Sequence, residues 1–109
     1  MSIYRERLME YWYDPNHTGC LRIIDTKKQI IYGSDPAEKY WVVTYTHKNK
    51  STLLVDFRNK KMHHGKKDLV TKYEDRNMTL HWEDGNKWRR MKNNPFLLIL
   101  TKTMREEKL

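Results

Sequence analysis

The chain has 109 residues and a mass of 13.4 kDa, which is room for one core and not two. Mean hydropathy is −0.99, but four Trp, seven Tyr and two Phe supply more core material than a disordered chain carries. Only four Gly and three Pro exclude collagen and low-complexity linkers, and 22 Lys and Arg against 14 acids leave a net charge of +8.

Residues 1 to about 14 have helical spacing. Ser2 is a candidate N-cap, and Tyr4, Leu8, Tyr11 and Trp12 share one face. Asp14-Pro15 then ends the helix, because a proline pushes its predecessor out of helical geometry. So short a helix is unstable alone, so its aromatic stripe is expected to dock on the rest of the domain.

From Cys20 to Met91 the period changes to two. Trp41, Val43 and Tyr45 fall on one face of a strand spanning Tyr40 to Thr46. Leu53, Val55 and Phe57 do the same between Thr52 and Arg58, as do Met78, Leu80 and Trp82 between Asn77 and Trp82. Leu21–Asp25, Gln29–Gly33 and Leu69–Tyr73 read as further strands. Asp84-Gly85 is a strong hairpin signal, and a two-residue turn there sets Trp82 opposite Lys87 and His81 opposite Trp88. Short strands joined by tight polar turns pair with their chain neighbours, and closure removes exposed edges. The fold expected is mainly β, a small antiparallel barrel or curved meander of six to eight strands with a short N-terminal helix. A single domain covers 1–109: the docked helix at 1–14, the β core at 20–91, and a C-terminal strand or helix with its tail at 95–109. The apolar run Phe96–Leu100 should be buried, in this chain or in a homodimer.

Chemistry-bearing motifs are few. Cys20 is the only cysteine, so no internal disulfide forms, and a lone thiol fits a reducing, intracellular compartment. His63 and His64 point to opposite faces of a strand and cannot easily share an ion, and His17 with Cys20 lacks a second ligand pair, so no metal site or cofactor is read. No nucleophile with an oriented base and no phosphate-cradling glycine loop is legible, which leaves an enzymatic role without named residues. The longest apolar run has five residues, far short of a membrane span, and no membrane partner is expected.

The basic segments carry the functional reading. Arg58, Lys60, Lys61, Lys66 and Lys67 form one stretch without an acid. Lys87, Trp88, Arg89, Arg90 and Lys92 form another. Cations hold phosphates and aromatic faces stack on bases, so these residues are the candidate nucleic-acid interface, with DNA and RNA equally open. The tryptophans also suit a core, Trp41 and Trp82 above all. The leading expectation is a non-enzymatic polyanion-binding module. The alternatives are a self-associating interaction or structural module of viral type, and a small ligand-binding barrel or enzyme.

The stretch from Tyr73 to Arg90 resembles the closing hairpin of small β domains in algal and large-DNA-virus proteins. Their W-x-D-G-x-x-W-x-R pattern is matched by Trp82, Asp84, Gly85, Trp88 and Arg90. Trp12 and His64-Gly65 fall where other landmarks of those domains lie, so the resemblance runs from 12 to 91, with its specificity in the hairpin. It implies a β architecture. That family has no settled activity, so no catalytic residue follows from it.

Overall fold

A computed structural model of the chain describes residues 9–60 and 65–91. They form a closed antiparallel barrel of eight strands in simple chain order: β1 (Met9–Tyr13), β2 (Arg22–Asp25), β3 (Ile30–Gly33), β4 (Trp41–Asn49), β5 (Thr52–Asp56), β6 (Leu69–Glu74), β7 (Thr79–Trp82) and β8 (Lys87–Arg90). β8 closes on β1 through Trp12↔Arg90 and Tyr13↔Arg89. Closure gives every strand two neighbours and leaves no edge to template aggregation.

The alternation read from the sequence is the inward-facing pattern of the wall. Trp41, Val43 and Tyr45 of β4, Val55 of β5, and Leu80 and Trp82 of β7 are buried together with Trp12, Ile24, Ile31 and Trp88. All four tryptophans therefore fill the interior. Trp41, Phe57, Trp82 and Trp88 pack in series, edge-on or tilted, with centroids 5.9, 5.5 and 4.7 Å apart, within the range of favourable ring pairs.

Two expectations are corrected. The N-terminal helix is not formed within the described residues: Met9–Tyr13 is a strand, and the one helical turn is a 3-10 turn at Pro15–His17, capped by the Asp14 carboxylate. Tyr11, Trp12 and Tyr13 favour a strand as aromatic residues, and only a strand here closes the barrel. Trp12 is buried inside, whereas its neighbours lie on the other face; a helix would have grouped Tyr11 with it. Residues 1–8, the His63-His64 pair and the Phe96–Leu100 run lie outside the described residues.

The second correction is one residue of register. His81 pairs with Lys87 and Leu80 with Trp88, not Trp82 with Lys87. The Gly85 amide donates to the Trp82 carbonyl and the Trp82 amide to the Asn86 carbonyl, with Gly85 at φ +94°. That is a type I turn followed by a left-handed residue, which adds one residue to the loop. A one-residue slip exchanges the faces of a strand, and this one sends Trp88 inward and Lys87 outward.

An ion network closes the end of the barrel carrying the β1–β2 and β3–β4 connections. Arg22, 3% exposed, donates from Nε to Asp14 Oδ2 (3.1 Å), from Nη2 to Asp35 Oδ1 (2.9 Å) and from Nη1 to the carbonyls of Leu21 and Ser34 (both 2.8 Å). Its guanidinium carbon lies 5.1 Å from the Trp41 ring centroid and 5.4 Å from that of Trp88. Trp41 can occupy this place because Gly33, its partner across β3 and β4, has no side chain: a Cβ there would overlap the indole. Gly33→Ala should therefore lower unfolding free energy by about 1–3 kcal/mol, as overpacked cores do. Chemical denaturation would measure it, and an unchanged midpoint would contradict this packing.

Candidate nucleic-acid interface

The two basic segments fare differently in the fold. In the connection after β5, Arg58 is tied to Asp56 by paired hydrogen bonds of 2.8–3.2 Å. Hydrogen bonds from Arg58 to its carboxylate are the main reason Asp56 titrates at about 2, below its ordinary 3.8. Lys66 reaches Glu83 at 3.4 Å, and Lys67 is exposed. Lys60 turns back into the barrel end, 2.9 Å from Asp35 Oδ2 and 4.7 Å from the Trp41 centroid, with its side chain 13% exposed. Lys61 and Lys92 lie outside the described residues.

Three of the cations in the first segment thus already face a carboxylate. Asp56 lies two residues before Arg58, while the other two acids come from distant sequence: Asp35 is 25 residues from Lys60, and Glu83 is 17 from Lys66. A segment without an acid in the chain is not a surface without one.

β8 splits by face. Trp88, 4% exposed, is turned inward against Arg22, so its ring is not the outward stacking platform its basic neighbours suggest. Arg90 also points in, its Nη2 3.5 Å from Glu10 Oε2. Lys87 and Arg89 point out and are exposed.

Registration then assembles what the sequence kept apart. Lys72 of β6 pairs with His81 of β7, and His81 with Lys87 of β8, so the three side chains form a row across the outer wall. One step along the strands, Arg89 is flanked by Thr79 on one side and Tyr13 on the other, the latter 44% exposed. Lys72, Lys87 and Arg89 have no acid partner among the described residues. The acid on this wall, Glu74, is engaged by His81 Nε2 at 3.0 Å and by the Asn77 amide. Between these residues lies a cleft of about 420 Å³ lined by Tyr13, Asn77, Thr79, His81, Lys87 and Arg89 among others. Lys72, His81 and Tyr13 escaped the sequence reading because cross-strand register is the only thing that groups them. The exposed, alternating positions of β6 were the one local sign of Lys72.

The interior ion cluster has a consequence in acid. Burial pushes the Asp35 carboxyl up, but hydrogen bonds from Lys60 and Arg22 and their charges outweigh it and bring it to about 2. Its folded value lies below its ordinary 3.8, so the stabilisation is complete above that pH and disappears as pH falls through about 2. The difference corresponds to about 2 kcal/mol. Asp35→Asn should flatten the acid limb of the stability–pH curve by about that amount, read from urea unfolding between pH 6 and pH 2. An acid limb identical to that of the parent protein would show that Asp35 is not held this way.

Set against family models, curated proteins and solved structures, the chain matches none of them.

Proposed function

We propose that the barrel binds single-stranded nucleic acid, without catalysis, along the outer wall of β6, β7, β8 and β1. The observation that carries this reading is the row Lys72–His81–Lys87 with Arg89 and the exposed ring of Tyr13 beside it. Lys87 and Arg89 are two residues apart on one strand, about 7 Å, a spacing suited to successive phosphates of an extended strand. Tyr13 offers a π-face at the same place, and bases of any identity stack on such a ring. Asn77 and Thr79 also line the cleft, with the Asn77 amide donating to Glu74 and the Thr79 hydroxyl to the Asn77 carbonyl, so only their remaining hydrogen-bonding capacity faces a ligand. Arg58, Lys60 and Lys66 contribute less, because a phosphate would have to displace Asp56, Asp35 or Glu83.

If Lys72, Lys87 and Arg89 each meet one phosphate, log K should fall with log salt at a slope of about −2 on a single strand. Fluorescence anisotropy with labelled oligothymidylate and oligouridylate would measure it. Removing both outward cations of β8 with Lys87→Ala and Arg89→Ala should reduce the slope to about −0.7 and weaken binding about tenfold or more. Arg58→Ala should change it less than threefold, following the modest weight of an already paired exposed cation. No binding by the parent protein in low salt, or equal losses from both sets of variants, would overturn the proposal.

A further inference from the structure

The opposite end of the barrel is built differently. There the strands β1, β2, β4, β5, β6, β7 and β8 surround a cavity of about 320 Å³. Its walls are Trp12, Ile24, Tyr45, Leu53, Tyr73 and Leu80, an apolar and largely aromatic surface. At the other end Arg22 is saturated by its own carboxylates and carbonyls, and Trp41 and Trp88 already flank a cation. That end also leaves one buried indole N–H, that of Trp82, without an acceptor among the described residues.

Trp12, which lines this cavity and is 4% exposed, has an indole N–H with no acceptor among the described residues. A buried donor left without a partner is destabilising, and a ligand oxygen would relieve it. Arg90 lies in the same lining, 3.5 Å from Glu10 Oε2 and in hydrogen-bonding contact with the Tyr73 hydroxyl. With five N–H donors in its fork, the guanidinium keeps donors for a ligand carboxylate beyond these two contacts. Lys50 and His47 add positive or donor groups at the rim. Burial, then the charges of Glu10 and Asp25, push the Tyr45 phenol up to about 12, so it stays a neutral donor. The cavity thus combines aromatic walls with donors, and Glu10 is the one acid among the described residues of its lining.

We propose that this mouth is a binding site for a small aromatic monocarboxylate, its ring between Trp12, Tyr45 and Tyr73 and its carboxylate on Arg90. The site is separate from the outer wall, and neither reading depends on the other. The ligand carboxylate displaces Glu10 from Arg90, so Glu10 works against binding and sets a charge requirement for entry. Pockets of this kind, apolar with a few convergent polar groups, orient a ligand through those groups.

The test uses 2-naphthoate and, as its uncharged counterpart, naphthalene-2-methanol, with the full chain, by calorimetry and by the indole N–H signals in ¹⁵N–¹H spectra. The naphthoate should bind in the submillimolar range and shift the indole signal that Trp12→Phe removes. The alcohol should bind at least tenfold more weakly. Arg90→Met should weaken naphthoate about tenfold or more while leaving the alcohol unchanged, which shows that the cavity itself survives. Glu10→Gln should tighten naphthoate. Lys87→Ala with Arg89→Ala should leave it unaltered, separating this site from the wall. No naphthoate binding at millimolar concentration would overturn the proposal. So would equal affinity for the alcohol, or a loss that follows Lys87 and Arg89 instead of Arg90.

Discussion

The barrel is organised around one buried guanidinium. Removing Arg22 from water carries a large desolvation cost, which only near-complete satisfaction offsets. The fold supplies it: two carboxylates, two backbone carbonyls and two indole faces converge on one side chain. These partners come from the β1–β2 connection, the β3–β4 connection, β4 and β8. Arg22 therefore joins elements that the hydrogen-bonded ladder alone would connect only in sequence.

That matters most at the seam. β8 and β1 share two residue pairs, while other neighbours share three to five. Inside the seam, Asp14 receives both Arg22 and the Asn86 amide, and Trp88 packs on Arg22 from β8. Burial would push the Asp14 carboxyl up, yet the bond from Asn86 and the charge of Arg22 hold it below its ordinary value. At the far end the Met91 amide donates to the Tyr11 carbonyl, and Arg90 leans toward Glu10. The seam is thin in backbone pairs and compensated from within by side chains.

The same arrangement divides the chain's cations into structural and available ones. Arg22 and Lys60 are consumed inside the barrel, and Arg58 and Lys66 are held by acids at the rim. Among the described cations without an ion pair, Lys72, Lys87 and Arg89 gather on one wall, while Lys27, Lys28, Lys39, Lys48, Lys50, Lys67 and Arg76 lie in other strands and turns. A positive net charge is therefore a poor guide to a binding surface until each cation has been assigned its partner. The strands were legible because Trp41-Val43-Tyr45 and Leu53-Val55-Phe57 alternate with polar neighbours, and burial of one face imposes that pattern. β1 was not, since Tyr11 and Trp12 satisfy a helical spacing as well as a strand, and only closure decides between them. The β7–β8 register turned on whether Gly85 ends a two-residue or a longer turn, a choice fixed by the hydrogen bonds of Trp82 and not by the Asp-Gly pair. The ion pairs were invisible because Asp35 and Lys60 meet only once the barrel has closed.

Arg22 is the interior tie of the barrel, and urea unfolding of Arg22→Met at neutral pH tests that role most directly. Loss of the cation leaves Asp14 and Asp35 buried and short of a partner, so unfolding free energy should fall by about 3–5 kcal/mol. A loss below about 1 kcal/mol, the range of a surface ion pair, would show that the barrel does not depend on it.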